Sequence, residues 1–269
     1  MPVMGRLILQ SAWRALLDTM RPRMLILSLL PLAAAGILGA LGYALFWDDW
    51  TTSTRLWIGS QGWMLDVLQA LGWSQPERGL ASMIVAALGI VALLLLSLSL
   101  VSAFVMPSAA AFVARSRYAQ LRRRSTTPLV QSLLWSIGVT VAGTLLLVVS
   151  LPLWIIPVIG LAIAPLIWGW MTAKMFAFDA LASFASGVER RQVLRSHRWP
   201  LLAMGVACSY LGMLPTLLFG LGWWALALLP VLMLLSLWLY ALAVTFAALW
   251  FVHYLLATLV ATRACAPSV

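Results

Sequence analysis

Four long stretches of the chain contain no Asp, Glu, Lys or Arg, and they constrain the fold more than any other feature. They run from Met24 to Trp47, from Gly79 to Ala114, from Ser125 to Ala173 and from Trp199 to Thr262. About 20 apolar residues are enough for a helix to cross the hydrocarbon layer of a membrane. The first two stretches therefore fit one crossing each, and the last two must fold back on themselves.

The composition points to the same fold class. Of the 269 residues, 64% are hydrophobic and 9% are charged, which leaves too few polar residues to cover a soluble domain of this size. The sequence therefore predicts an all-α, polytopic membrane bundle with about six hydrophobic segments. Membrane lipid is the predicted partner of most of its surface.

The ends of the chain are predicted to differ from its middle. Residues 1–23 carry apolar side chains at spacings of three and four, which predicts an amphipathic helix lying at the membrane interface. Residues 24–262 are predicted to form a single transmembrane domain, with segment one at 24–46 and segment two at 80–105. Residues 263–269 are predicted to be a tail.

Basic residues predict the sidedness of the connections. Fifteen of the 17 Lys and Arg residues lie in residues 1–23, in the loops predicted at 107–127 and 173–199, and in the tail, whereas the predicted loop 47–79 holds two. Since basic loops stay in the cytoplasm, we expect both termini there and loop 47–79 in the periplasm. This distribution also argues against nucleic acid as the partner of a chain with a net charge of +10.

Prolines predict where the two long apolar blocks, 128–172 and 200–260, reverse. Pro157 and Gly160 mark the tip of the first hairpin, and Pro215 begins the break in the second. After this break a short half-helix up to Pro230 and then a long tilted helix are expected. Either hairpin fits a full crossing or a half-penetrating loop, because irregular backbone at membrane depth needs protein or water around it.

A stripe of hydroxyl residues is the most informative polar pattern. It recurs every four residues on one face of segment three and comprises Ser132, Ser136, Thr140 and Thr144. Packing against another helix, with hydroxyls bonded to carbonyls four residues back, is the favoured interpretation. The alternative is that these neutral donors line the path of a partly dehydrated anion.

Asp179 is the charged residue nearest the end of segment four. A carboxylate at the membrane border is costly unless it is paired, so we expect a structural clamp to Arg190, Arg191 or Arg198. A role in a proton relay is the alternative.

Three further basic residues are candidates for function. Arg21 and Arg23 flank Pro22 before segment one and either anchor the helix or attract an anion to an entrance. His253 lies in the last apolar segment, where a hydrogen-bonded structural histidine is favoured over a pH sensor. Nothing in the sequence matches a metal, cofactor or catalytic motif, which argues against an enzyme.

The order of short motifs along residues 12–254 resembles the family of CysZ-type sulfate permeases and etoposide-induced membrane proteins. They are Ala12-Trp13-Arg14, Pro22 with Pro31, Met106-Pro107 followed by Phe112, Pro157 with Gly160, Phe178-Asp179-Ala180, Glu189-Arg190-Arg191, His197-Arg198 and Gly205. The family's sulfate-contacting Gly-Leu-Arg step is Arg23-Met24-Leu25 here.

The resemblance implies a divergent member with a helical bundle of long crossing helices and partly penetrating hairpins. It also implies a homo-oligomer in a bacterial inner membrane and sulfate uptake for cysteine biosynthesis. The first hypothesis is thus a permease or channel for a small anion, with sulfate as the default. The second is a non-transporting scaffold or lipid-interacting protein.

Overall fold

The computed structural model describes residues 2–70, 72–73, 76–118, 121, 129–221 and 228–265. The α-helices within them are α1 (Pro2–Thr19), α2 (Pro22–Gly59), α3 (Gly62–Ala70), α4 (Pro76–Arg117), α5 (Leu129–Ser150), α6 (Pro157–Ala182), α7 (Gly187–Ser196), α8 (Arg198–Met213) and α9 (Leu229–Cys265). Two 3-10 helices, Leu151–Ile155 and Leu214–Leu221, follow α5 and α8. These described residues contain no strand.

Five helical segments of the described chain are long and apolar enough to cross a membrane. They are Pro22–Gly59, Pro76–Leu93, Leu134–Ile155, Arg198–Leu218 and Val231–Ala264. The predicted all-α, multi-pass membrane bundle is therefore confirmed. Helix α6 adds a further apolar helix between the third and fourth of these segments.

The chain divides into two compact units. Unit 1 comprises Met1–Leu29 and Ser102–Val269, and unit 2 comprises Leu30–Val101.

The core of unit 1 surrounds α9. Every residue from Ala247 to Leu256 is buried, and α9 contacts α1, α6, α7 and α8. A helix that is apolar on all sides is expected in such a central place. This arrangement explains why the last apolar segment lacks a polar face.

Two glycines allow α6 and α8 to approach each other closely. A Cβ added at Gly169 would lie 2.6 Å from the Cα atom of Val206, and one added at Gly205 would meet the carbonyl oxygen of Gly169. Small residues permit such close backbone contact between membrane helices. The α6–α8 crossing therefore depends on both glycines.

Helix α1 packs its small and polar residues, rather than its large apolar ones, against α9. Ser11, Ala15 and Asp18 are buried, and the Trp250 indole of α9 donates hydrogen bonds to Ser11 Oγ and to the carbonyl oxygen of Ile8, both at 3.1 Å. Several large apolar residues of α1 remain exposed, namely Leu9, Trp13, Leu16 and Leu17. An interfacial position for residues 1–23 stays a prediction, with the helix itself ending at Thr19.

Unit 2 contains helical regions where the sequence predicts connections. Helix α2 does not end at Phe46 but continues to Gly59, and α3 occupies Gly62–Ala70, so most of the predicted loop 47–79 is helical. Aromatic pairs one turn apart, such as Phe46 and Trp50 with ring centroids 5.5 Å apart, extend α2 past its apolar stretch.

Helices also extend into the predicted loops 107–127 and 173–199. Helix α4 continues through Pro107 to Arg117, and α6 continues to Ala182 before α7 begins. Packing outweighs the hydrogen bond lost at the proline, because Ala109, Ala110 and Val113 beyond it are buried. Residues 122–128 lie outside the described chain.

The two predicted reversals agree better with the structure. The 3-10 helix Leu151–Ile155 ends α5, and Pro157 begins α6. Helix α8 ends at Met213, beside Pro215, and α9 begins at Leu229 with Pro230 in its first turn. Most of the half-helix expected before Pro230 falls on residues 222–227, outside the described chain. The depth of both hairpins in the membrane stays a prediction.

Candidate functional site

A buried carboxylate and three basic side chains meet where α1 ends. The Asp18 side chain is 1% exposed, and its Oδ1 atom lies 3.0 Å from Arg21 Nε. Its Oδ2 atom lies 2.9 Å from His253 Nε2 and 3.9 Å from Arg117 Nε. We call these four residues the Asp18 cluster. All four belong to unit 1.

The two arginines of the Asp18 cluster reach solvent although the carboxylate does not. The Arg21 side chain is 53% exposed and that of Arg117 is 34% exposed. The Arg21 guanidinium also lies 5.5 Å from the centroid of the Phe112 ring. The partly exposed guanidinium groups therefore lie near the start of α2, which begins with Pro22 and exposed Arg23.

Of the predicted anion entrance, Arg21 and Arg23, the structure brings Arg21 together with Asp18 and with Arg117 and His253 from distant parts of the chain. Asp18 could have been identified from the sequence, since it is one of only seven acidic residues and lies among the arginines of the N-terminal region. His253 lies 235 positions away from it, so no spacing rule connects the two. The hydrogen bond fits the favoured structural interpretation of His253, and a pH-sensing role stays untested.

The predicted hydroxyl stripe on α5 is partly exposed. Ser136 is half-buried, whereas Thr140 and Thr144 are exposed. The Thr140 hydroxyl donates a 2.8 Å hydrogen bond to the Ser136 carbonyl oxygen, which is the back-bonding that the favoured interpretation expected. The side chain of Ser132 lies outside the description.

Helix α5 buries a different face. Val139 is buried, and a Cβ added at Gly143 would meet the side chain of Met171 on α6. Whether the stripe lines a path stays a prediction, and such a path would need a second chain or lipid to complete its outer wall.

A cavity of about 440 Å³ lies between α6, α8 and α9 in unit 1. Its lining is mainly apolar but includes four polar side chains, those of Thr172, Cys208, Ser209 and Tyr240. The Ser209 hydroxyl lies 2.9 Å from the carbonyl oxygen of Pro165. Ser136, Thr140 and Thr144 do not line this cavity. The sequence analysis missed it because single hydroxyls on three helices form no periodic pattern.

The predicted hairpin tip, Pro157 and Gly160, lies at the start of α6. A Cβ added at Gly160 would lie 3.4 Å from the Cα atom of Trp154. The Trp154 indole in turn donates a 3.2 Å hydrogen bond to Ser150 Oγ. These contacts fold the turn back on the end of α5, and a role in conduction stays a prediction.

The predicted clamp around Asp179 stays a prediction, although Arg190 has a defined contact. Arg190 is buried, and its guanidinium lies 4.1 Å from the centroid of the Phe178 ring. Burial, and less strongly the charge of Arg191, lowers the pKa of Arg190 from its ordinary value. Asp179 is half-buried, and Arg191 and Arg198 are exposed.

A clamp that the sequence analysis missed joins α7 to α9. Arg263 donates 3.0 Å hydrogen bonds from Nε and Nη2 to the two carboxylate oxygens of Glu189 and one of 2.8 Å to the carbonyl oxygen of Phe184. Glu189 also forms a capping box with Ser186. The Arg263 hydrogen bond is the main cause that lowers the pKa of Glu189 from 4.5 to about 2, against an opposing effect of burial.

Unit 2 contains an apolar groove of about 460 Å³ between α2 and α4. The groove is lined by Gly39, Gly42, Gly89, Leu93, Trp47 and Trp50, among others. A Cβ added at Gly39 would lie 2.6 Å from Leu93 Cδ2, so the absence of a side chain at Gly39 leaves room for Leu93 of α4.

Neither the curated proteins nor the solved structures give a match. A family model described as Sulfate transporter CysZ/Etoposide-induced protein 2.4 matches residues 11–221, which ends earlier than the resemblance over residues 12–254. The matched region contains three members of the Asp18 cluster and excludes α9. The chain therefore belongs to the Sulfate transporter CysZ/Etoposide-induced protein 2.4 family and is a multi-pass membrane protein.

Proposed function

We propose that the chain is a permease or channel for a small anion such as sulfate. Membership of a sulfate transporter family supports this proposal. The observation that carries it is the Asp18 cluster, where Arg21 and Arg117 outnumber one carboxylate and remain partly exposed. Such an excess of positive charge raises the local concentration of anions.

The cavity between α6, α8 and α9 is the preferred route through unit 1. Conduction needs binding that is weak enough to release the ion, and the neutral hydroxyls of Thr172, Ser209 and Tyr240 meet that requirement. The α5 stripe is the alternative route and would require a homo-oligomer, because Thr140 and Thr144 are exposed on the single chain.

Anion flux into proteoliposomes tests the function and the route together. The flux of sulfate, phosphate and chloride is compared in vesicles with and without the purified protein. The proposal is refuted if none of the three anions enters the protein-containing vesicles faster than the empty ones. Thr172→Val with Tyr240→Phe reduces flux if the cavity conducts, and Thr140→Leu with Ser136→Leu reduces it if the stripe conducts. Thr216→Val, an exposed hydroxyl outside both routes, is the control.

We also propose a bacterial inner-membrane location with both termini in the cytoplasm, where sulfate would supply cysteine biosynthesis. The ends of α1 and α4 meet at Asp18 and Arg117, and Glu189 meets Arg263. These contacts group the basic segments pairwise, as one cytoplasmic side requires. The test is a reporter that is active only outside the cytoplasm, fused after the C-terminus. A signal from this reporter would contradict the proposed topology.

A non-transporting scaffold or lipid-interacting protein is the second candidate. The exposed apolar face of α1 favours it, since Leu9 is 73% and Trp13 62% exposed. A chain of this kind would bind vesicles through α1 and give no anion flux. Trp13→Asp would then reduce vesicle binding without a transport defect to measure.

A further inference from the structure

Asp18 occupies a position that the local backbone disfavours. It lies in the last turn of α1, where the carbonyl groups of a helix repel a negative charge. It is also buried, with 1% of its side chain exposed, and a buried carboxylate is costly unless charged or hydrogen-bonding groups surround it. The arginines and the histidine of the cluster supply that surrounding.

The two oxygens of Asp18 have different partners. Oδ1 is 3.0 Å from Arg21 Nε, although the N–H is not aligned for a hydrogen bond. Oδ2 is 2.9 Å from His253 Nε2, and since a carboxylate only accepts, Nε2 carries the hydrogen. Arg117 is more distant, at 3.9 Å. The bond to His253 is thus the well-formed one, and the contacts with the arginines are the ones that can be exchanged.

Arg21 and Arg117 can therefore contact either the Asp18 carboxylate or an anion that arrives from outside the protein. We propose that Asp18 is a built-in competitor for the transported anion at Arg21 and Arg117, and that His253 retains Asp18 when the anion displaces it. This inference rests on the proposed function and deepens it by assigning to a residue pair a role in setting the affinity for the anion. The ligand class is a small oxyanion, with sulfate as the probe.

The proposal predicts opposite effects for two substitutions that disturb the same hydrogen bond. Asp18→Asn removes the competing charge, so sulfate binds about 3- to 10-fold more tightly. His253→Leu removes the group that retains Asp18, so the carboxylate stays with the arginines and sulfate binds about 3- to 10-fold more weakly. A merely structural role would move both affinities in the same direction.

The measurement is the dissociation constant for sulfate, obtained by titration calorimetry on the purified full chain at constant ionic strength. Asp49→Asn is the matched control, because Asp49 is an exposed acid in unit 2 and its loss changes the net charge equally. Thermal unfolding of each variant identifies those that fold, and either variant alone tests the sign of its own shift.

Opposite shifts with an unchanged Asp49→Asn control support the competitor. Equal constants, shifts in one direction, or a shift in Asp49→Asn as large as in Asp18→Asn overturn it. Sulfate flux measured on the same preparations separates the two proposals. If the dissociation constants shift in the predicted directions but no sulfate flux is found, transport is refuted and the role of Asp18 as a competitor is supported. If sulfate flux is found but the dissociation constants do not shift, transport is supported and the role of Asp18 is refuted.

Discussion

The ion pair between Glu189 and Arg263 connects α7 to the end of the central helix α9, and its loss should be measurable. We expect Glu189→Gln to destabilise the protein at neutral pH. The amide still accepts the hydrogen bond from the Ser186 backbone N–H, which the carboxylate accepts at 2.8 Å in the capping box. The substitution therefore removes the charge while it leaves the start of α7 in place.

The size of the effect follows from the pKa of Glu189, which is lowered from 4.5 to about 2. At about 1.4 kcal/mol per pKa unit, the whole shift corresponds to about 3 kcal/mol. Both side chains reach solvent, with 24% of Arg263 and 22% of Glu189 exposed, and solvent screening weakens such pairs. We therefore expect about 1–2 kcal/mol.

The pH dependence has a defined sign. The pKa of Glu189 is lower in the folded chain than in the unfolded chain, so its contribution is present above pH 4.5 and is lost as the pH falls toward 2. The difference between the wild type and Glu189→Gln should therefore shrink on acidification through this range.

A double-mutant cycle in detergent micelles measures the coupling. Unfolding free energies of the wild type, Glu189→Gln, Arg263→Gln and the double variant are compared at pH 7 and near pH 3. Arg195→Gln, an exposed arginine on the same α7, is the control for the loss of one positive charge. A coupling energy near zero at pH 7, or one that does not decrease near pH 3, would refute the reasoning.

Three further predictions concern stability. Gly205→Ala should destabilise the α6–α8 crossing by about 1–3 kcal/mol, because the added methyl group meets backbone atoms. The control is Gly138→Ala, whose methyl group would meet nothing within 4 Å and which should be neutral or stabilising. Thermal unfolding compares the two variants. Trp250→Phe removes the two hydrogen bonds to α1, so we expect a loss of about 1 kcal/mol and faster proteolysis within α1. Arg190→Lys removes the guanidinium that lies over Phe178, so we expect the unfolding free energy measured by chemical denaturation to fall by about 1 kcal/mol.

Hydropathy predicted the helices well because lipid leaves the backbone no alternative to helical hydrogen bonds in a charge-free run. It predicted the helix ends poorly because an end is decided by local packing. Thr51 and Ile58 are buried beyond the apolar part of α2, and these contacts carry the helix past the point where the sequence turns polar. Pro107 illustrates the same effect in α4.

The candidate site was predicted only in part, since its members are joined by the tertiary fold. Arg21 and Arg23 were identifiable from their position beside an apolar run. The burial of Asp18 could not be predicted from the sequence, because burial at the end of α1 depends on α4 and α9. The hydroxyl stripe shows another limit, since a regular spacing of four fixes a face of α5 and does not determine what that face meets.

Ion pairs in a helical membrane bundle are constrained by sidedness more than by distance along the sequence. The arginines nearest to Asp179 in sequence are its predicted partners, whereas Glu189 is paired with Arg263, 74 positions away. Yet the predicted topology assigns only three of the seven acidic residues, Asp18, Asp179 and Glu189, to the cytoplasmic side. Two of them have partners on α9, beyond residues 11–221 that the family model matches. Listing acids and bases by side of the membrane, before considering their spacing, would have included both of these pairs among the candidates.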